Sequence, residues 1–176
     1  MPRLLLHTCC APCTIHPLDV LRAEGWEVEG CFYNPNIHPY QEWVRRRETL
    51  RGYAATQELP MRWPKGYDLE EFLAGALAAG PRRCEACYRR RLSVAAREAR
   101  QDGFDAFSTT LLVSPYQKHE RLREIAEEVG QSEGVPFVYR DFRPGFRAAQ
   151  AKARELGLYR QPYCGCIFSE RERYQR

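Results

Sequence analysis

The chain has 176 residues, 44% of them hydrophobic, and a formal net charge of +4. This size predicts one domain with a hydrophobic core large enough for the fold to be stable without disulfide bonds. The apolar run at 4–6 is too short for a signal peptide or a membrane span. We therefore expect a cytoplasmic monomer with reduced thiols and no membrane partner.

Predicted strands and helices alternate along the chain. Strands are predicted at 3–7, 27–33, 60–63, 104–112 and 135–140, and helices at 17–24, 40–57, 68–79, 84–102, 119–128 and 146–156. Asp68 is the predicted N-cap of the third helix, and the tail after the last helix is charged. This alternation predicts a single α/β domain over residues 1–176, with a mainly parallel sheet.

Polar and sulfur-bearing residues follow several of the predicted strands. A cysteine loop follows the first strand, Tyr33 and Asn34 follow the second, and Thr109 and Tyr116 lie at the end of a later strand. In parallel sheets ligands bind beyond the carboxyl ends of the strands. The sequence therefore predicts one active site at that edge, although turn chemistry explains the asparagines and simple packing explains the tyrosines equally well.

Seven of the eight cysteines fall into three short groups that lie far apart in the chain. The groups are Cys9, Cys10 and Cys13; Cys84 and Cys87; and Cys164 and Cys166. Such spacing predicts thiolates that converge on a metal, and seven sulfurs are enough for a [4Fe–4S] cluster with three to spare. The alternatives are a four-cysteine zinc site in an RNA-binding protein, and a metal-free thiol–disulfide oxidoreductase.

Two further residues near these groups have competing interpretations. His7 ends the first strand, where it would either orient a metal ligand or be a buried histidine with its hydrogen bonds satisfied. Cys31, the eighth cysteine, lies within a predicted strand and is expected to pack as a small apolar residue.

Several stretches of the chain together resemble the QueH-type epoxyqueuosine reductases. The matching stretches are LLLHTCCAPCT, CFYNPNIHPYQEWVRR, RRCEACYRRRL, FSTTLLVSPYQKHE and YRQPYCGCIFSERER, which occur in order over nearly the whole chain. The resemblance implies a three-layer α/β sandwich of the adenine-nucleotide α-hydrolase type, which is Rossmann-like. It also implies the last step of queuosine biosynthesis, in which the epoxide oxygen of epoxyqueuosine at the tRNA wobble position is removed without cobalamin.

The same resemblance implies a cofactor and a ligand set. The expected cofactor is a [4Fe–4S] cluster with an adjacent mononuclear iron. By position, the cluster ligands are Cys9, Cys10, Cys84 and Cys87. Cys164 and Cys166 match a C-terminal pair that either forms a redox-active disulfide or holds the additional iron, for which Cys9 is another candidate ligand. Together with Cys13, which is Asp in some family members, this pair forms the predicted catalytic set.

The resemblance also implies tRNA as the partner, bound through its anticodon loop, and an external electron donor that the sequence does not identify. The predicted substrate contacts are Tyr33, Asn34, Asn36, Tyr116 and Arg160. Arginines at 45–47 and 89–91 are expected to hold phosphates, with Tyr40 and Trp43 stacking on bases. A solvated helix surface is the simpler explanation of the arginine clusters.

Overall fold

The computed structural model describes residues 1–175 of the chain, with four strands and seven α-helices in that range. The strands are β1 (Arg3–His7), β2 (Glu27–Cys31), β3 (Met61–Arg62) and β4 (Ala106–Thr109). The helices are α1 (Ala11–Ala23), α2 (Tyr40–Thr56), α3 (Leu69–Ala79), α4 (Arg83–Gln101), α5 (His119–Glu133), α6 (Phe146–Glu155) and α7 (Ile167–Tyr174). None of the helices within residues 1–175 has the length and apolar character needed to cross a membrane.

All four strands are parallel and lie in the order β3-β2-β1-β4. Leu4, Leu5 and Leu6 of β1 are fully buried, because a central strand of a parallel sheet is covered on both faces. On the outer side of β4, Phe137 pairs with Phe107 of that strand through a single β-bridge. The strand predicted at 135–140 is therefore reduced to this one bridge. Pro136 has no N–H for a longer ladder.

The helices form a layer on each face of this sheet. Right-handed crossovers place α1 and α2 on one face and α3, α4 and α5 on the other. The contacts agree, since α1 packs against α2 and α6, whereas α4 packs against α3 and α5. This confirms the predicted sandwich with its parallel sheet. The chain leaves β1 and β4 toward opposite sides, so the crevice between their carboxyl ends is the switch point where such folds bind ligands.

The first helix and the fourth strand differ from their predictions. α1 begins at Ala11 rather than at 17, because Pro12 occupies its first turn, where proline favours a helix start, and Pro17 is accommodated inside the helix. β4 ends at Thr109 and a 3-10 helix at Thr110–Val113 follows it, so the strand predicted to 112 is too long. Because α1 begins at Ala11, Cys13 lies on a helix and not in a loop.

The remaining helices are close to their predictions or extend them. Asp68 caps α3 as predicted, accepting a hydrogen bond from the Glu71 amide at 3.0 Å. α5 continues to Glu133, where Gly134 ends it with a left-handed φ of 74°. α7 was not predicted, since its sequence had been interpreted only as a charged tail. Its N-cap is Cys166, whose sulfur accepts a hydrogen bond from the Ser169 amide at 3.3 Å.

Candidate metal centre

Three sulfur atoms meet at the switch point, where β1 ends and α1 begins. The Sγ atoms of Cys9, Cys10 and Cys13 all lie within 4.8 Å of one another, and those of Cys9 and Cys10 are 3.8 Å apart. Two sulfurs on one tetrahedral ion with bonds of about 2.3 Å are separated by roughly 3.8 Å. All three are free thiols, so the group fits a metal ion with little movement.

Hydrogen bonds and burial divide the protons unequally among these three sulfurs. The bond from Cys10 holds the pKa of Cys9 well below its usual range. Burial raises the pKa of Cys10 to about 12, and hydrogen bonding to Cys10 raises that of Cys13 as well. These shifts favour the thiolate at Cys9 and the protonated thiol at Cys10 and Cys13. A metal that takes all three sulfurs therefore displaces protons from Cys10 and Cys13.

Two side chains from distant parts of the chain contact this group. Thr110, just after β4, accepts a hydrogen bond from the Cys9 amide at 3.0 Å and donates to the Cys9 sulfur at 3.3 Å. The Gln161 amide Nε2 donates to the sulfur of Cys10 at 2.9 Å. Gln161 was not predicted as a site residue, because nothing in its local sequence distinguishes it from a surface glutamine.

The second cysteine group lies on the first turn of α4. Cys87 is 3.9 Å from Nη1 of Arg91, and its pKa is raised by burial. Arg91 is buried and donates from Nε and Nη2 to Oδ1 of Asn34, at 3.2 and 2.7 Å. Asn34 in turn donates to the carbonyl of Thr8 at 2.9 Å. A polar path therefore runs from α4 to the residue that precedes Cys9.

The third group is held by a buried arginine of α2. Arg46 donates from Nη1 to the carbonyl of Cys164 at 2.9 Å and from Nη2 to that of Tyr163 at 3.0 Å. Its Nε forms an ion pair with Glu42 at 2.8 Å. Arg46 is only 2% exposed, so its guanidinium group interacts with these interior partners and not with solvent.

Backbone contacts fix the middle of this third group. The His38 amide donates to the Gly165 carbonyl at 2.7 Å, and the Tyr163 hydroxyl donates to the His38 carbonyl at 2.6 Å. Gly165 has a φ of 139°, and a Cβ there would lie 3.0 Å from Nη1 of Arg46. The glycine between the two cysteines is thus required by both conformation and space.

Electrostatic interactions connect the three groups. Burial raises the pKa of Cys87, and the positive charge of Arg91 opposes that rise; the same charge adds to the hydrogen bonds that lower the pKa of Cys9 and Cys164. Negative charge on Cys164 raises the pKa of Cys87. Within the C-terminal pair, a hydrogen bond from Cys166 lowers the pKa of Cys164 to about 5, and the pKa of Cys166 is raised. The pair thus combines a thiolate with a protonated thiol.

His7 is a buried histidine whose hydrogen bonds are both satisfied, as one of its two interpretations predicts. Its Nε2 donates to the Tyr33 carbonyl at 3.0 Å, so Nδ1 accepts from the Thr109 hydroxyl at 2.9 Å. Burial lowers the pKa of His7 to about 4, which keeps the ring neutral. His7 thus positions the ends of β2 and β4 around the site.

The predicted substrate residues divide into buried and exposed ones. Tyr33, Asn34 and Asn36 are buried behind the switch point, and Oδ1 of Asn36 has no hydrogen-bond partner among residues 1–175. By contrast, Tyr116 is 85% exposed, with its ring edge against Phe146, and Arg160 is also exposed. No hydrogen bond within residues 1–175 joins the Tyr116 or Arg160 side chain to the cysteine groups, and their substrate roles stay predictions.

The arginine clusters are used differently from the prediction. One arginine of each cluster, Arg46 and Arg91, is buried and bonded inside the protein, so neither is available to hold a phosphate. Trp43 is 8% exposed and offers little surface for a base, whereas Tyr40 is 53% exposed.

The remaining arginines of the two clusters lie nearer the surface. The guanidinium groups of Arg45 and Arg47 lie over the rings of Tyr159 and Trp43. Arg47, Arg89 and Arg90 form ion pairs with Glu48, Glu128 and Glu71. Arg45 is therefore the residue of these clusters best placed for an external anion.

The fold and the site define an α/β protein that carries clustered thiols at the switch point of a parallel sheet, where they can bind metal. A profile of the family described as "Epoxyqueuosine reductase QueH" matches residues 4–172. The chain therefore belongs to the epoxyqueuosine reductase QueH family of oxidoreductases.

Individual relatives agree with this assignment. The Epoxyqueuosine reductase QueH of Dehalococcoides mccartyi is 37% identical, with 98% of this chain and 95% of the relative covered. That of Thermotoga maritima is 36% identical, with 100% and 94% covered.

Solved structures with low sequence identity share the fold. A predicted subunit of tRNA methyltransferase from Methanocaldococcus jannaschii superposes with a TM-score of 0.58 at 10% identity, covering 88% of this chain and 75% of that one. A deacetylase of the teicoplanin biosynthesis pathway gives 0.53 at 12% identity, with 87% and 82% covered. At these identities the likeness concerns the fold alone.

Proposed function

We propose that the chain reduces epoxyqueuosine at the wobble position of tRNA to queuosine, removing the epoxide oxygen as water. The observation that carries this proposal is the group of three sulfurs within 4.8 Å at the switch point, in a member of the QueH family. The common ligand crevice of the fold is thereby lined by thiols, which suit redox chemistry on a metal.

The thiols fit an iron–sulfur cofactor. A [4Fe–4S] cluster takes four thiolates, and we propose Cys9, Cys10, Cys84 and Cys87 for them, with Cys13 or the C-terminal pair available to an adjacent iron. Bound there, such a centre supplies single electrons and a Lewis acid for the epoxide oxygen. The lowered pKa of Cys9 favours the thiolate there, whereas binding through Cys10 and Cys87, whose pKa values burial raises, releases protons.

The C-terminal cysteine pair can balance the reaction. Conversion of an epoxide to an alkene and water consumes two electrons and two protons. Oxidation of Cys164 thiolate and Cys166 thiol to a disulfide releases two electrons and one proton, solvent supplies the second proton, and an external donor then reduces the disulfide. Cys166 keeps its proton because its pKa is raised, whereas Cys164 is the thiolate and therefore the more reactive sulfur.

Recognition of tRNA follows from the surface next to this pair. The wobble nucleoside has to leave its stack to reach the crevice. Arg45 lies on the same helix as Arg46, which holds the Cys164 carbonyl. Its guanidinium group suits a phosphate of an anticodon loop, and the exposed ring of Tyr40 suits a base.

Anaerobic purification followed by metal analysis and a tRNA assay tests the proposal. We expect a brown protein with more than four irons per chain, because the cluster and the adjacent iron are both present. It should convert epoxyqueuosine in tRNA to queuosine without cobalamin, and the Cys84→Ala protein should lose the cluster and the activity.

Two results would contradict this function. A colourless protein with one zinc that only binds RNA points to a zinc protein. A metal-free protein that reduces disulfides points to a thiol–disulfide oxidoreductase. Retention of both colour and activity in the Cys84→Ala protein would show that the ligand assignment is wrong.

A further inference from the structure

Arg91 is a buried cation without a carboxylate partner. It is 3% exposed, and among residues 1–175 no Asp or Glu oxygen lies within 4.0 Å of its guanidinium nitrogens. The equally buried Arg46 differs, because it is paired with Glu42. Removing an unpaired cation from water carries a large free-energy cost, so the position of Arg91 requires compensating negative charge.

The groups around Arg91 show where that negative charge resides. Its two hydrogen bonds to Asn34 end on a neutral amide oxygen, which solvates the guanidinium without neutralising it. Its third neighbour is the sulfur of Cys87 at 3.9 Å. With no carboxylate oxygen within 4.0 Å in residues 1–175, the neighbouring group that can carry negative charge is this sulfur.

We propose that Arg91 is the counter-cation of the metal–thiolate centre and that its charge raises the reduction potential of that centre. This inference rests on the proposed function, since it takes the metal to be an iron–sulfur cluster. A cluster held by four thiolates is anionic and gains a further negative charge on reduction. A fixed cation beside it stabilises the reduced form more than the oxidised form, and burial limits the screening of this interaction. Arg91 acts through the thiolates and is thus a positioning residue.

Two substitutions of Arg91 separate its charge from its shape. Arg91→Gln keeps an amide donor toward Asn34 and removes the charge, whereas Arg91→Lys keeps the charge and loses the planar fork. We expect the reduction equilibrium of the Arg91→Gln protein to become at least tenfold less favourable. For one electron this is a midpoint potential about 59 mV more negative. The Arg91→Lys protein should stay within that tenfold range. Potentials are read from EPR-monitored redox titrations of the anaerobically purified proteins.

Two further variants control this experiment. Arg97→Gln changes an exposed arginine of the same helix, one that is paired with Glu133, and should leave the potential unchanged. Asn34→Asp places a carboxylate against Arg91 and should lower the potential in the same direction as Arg91→Gln, although the arginine is still present.

The possible outcomes decide the inference. An Arg91→Gln potential within tenfold of the unsubstituted protein overturns it, and so does an Arg91→Lys shift as large as that of Arg91→Gln. If the Arg91→Gln protein loses its iron to a chelator at least tenfold faster while the Arg91→Lys protein retains it, the positive charge at position 91 is confirmed as what stabilises the centre. Equal loss from both variants shows that shape is responsible and overturns the inference. Protein without iron would overturn the proposed cofactor and this inference together.

Discussion

The first and the last cysteine groups are built by different means. Cys9, Cys10 and Cys13 lie between a buried strand and the helix that follows it, so the hydrogen bonds of the sheet and helix fix their backbone. Cys164 and Cys166 lie in a segment that Arg46 and the backbone of His38 hold onto α2. We therefore expect the first region to open only together with the core, whereas the last can open locally.

The largest expected effect comes from the first region. Cys10→Ala should abolish iron binding and lower the reductase activity by roughly a thousandfold or more, because the cluster loses one of its four proposed ligands and the chemistry depends on the metal. Iron content and turnover of epoxyqueuosine in tRNA are measured anaerobically. Cys31→Ala is the matched control, since this buried cysteine of β2 should affect stability and not iron. Equal iron loss in both variants would contradict the assignment.

The second effect concerns the anchor of the C-terminal segment. Arg46→Met removes two hydrogen bonds to the segment and leaves Glu42 without its partner. Breaking a buried ion pair in this way should lower the free energy of opening by about 3 kcal/mol. Amide hydrogen exchange over 162–170 measures it, and amides of β1 should stay protected.

The neighbouring Arg45 provides the control for that experiment. Arg45→Met loses an exposed contact with the ring of Tyr159 and should cost less than about 1 kcal/mol. If β1 amides exchange faster in Arg46→Met to the same extent as those of the segment, the two regions unfold as one unit and the comparison fails.

A smaller effect is expected from the glycine of the last group. Gly165→Ala combines an unfavourable φ of 139° with close contacts to Arg46, and should destabilise the segment by about 2 kcal/mol. Gly157→Ala also has a positive φ, 66°, but its Cβ would meet no atom within 4 Å, so about 1 kcal/mol is expected. Segment hydrogen exchange should quicken in the Gly165→Ala protein and stay unchanged in the Gly157→Ala protein, because Gly157 lies outside the segment. Unchanged exchange in the Gly165→Ala protein would contradict the predicted strain and crowding.

The smallest effect is a pH dependence of the same segment. His38 accepts a hydrogen bond from the Ile167 amide on Nδ1, and burial lowers its pKa. Because the folded pKa is below the usual value of about 6.5, its contribution is complete above that pH and is lost as the pH falls through the lowered pKa. Segment exchange, corrected for its intrinsic pH dependence, should therefore quicken in acid.

Substitution of single histidines tests this assignment. His38→Gln should abolish the acid-dependent part of the exchange, whereas His16→Gln on α1 should retain it. Persistence of the acid response in the His38→Gln protein would show that another group controls the segment.

Most of the sheet and its flanking helices could be predicted from the sequence, because their signals are local. β1 is a run of leucines, and Asp68 caps α3 through a hydrogen bond three residues on. The predicted start of α1 at Pro17 is wrong, because Pro12 lies in the first turn of a helix that begins at Ala11. The strand at 135–140 was overestimated, because Pro136 and its neighbours pair only around Phe107.

The cysteines of the site were predicted from the sequence, whereas the buried arginines beside them were not. The spacing of the cysteines indicated metal binding, but the arginine clusters were taken as uniform surfaces. A signal existed, since Arg46 continues the helical spacing of Trp43, Leu50 and Tyr53, all of which are buried. Arg91 likewise continues the buried face of α4. Nothing local marks Gln161, whose contact with Cys10 depends on tertiary packing.

All three cysteine groups occupy the same kind of position, the beginning of a helix. Cys10 is the N-cap of α1, Cys84 is the second residue of α4, and Cys166 is the N-cap of α7. The aligned peptide dipoles give each such end about half a unit of positive charge, which favours thiolate over thiol. This is the electrostatic property that attracts phosphate in nucleotide-binding folds. The three helices can therefore favour an anionic centre with their backbones alone, whatever the surrounding side chains become.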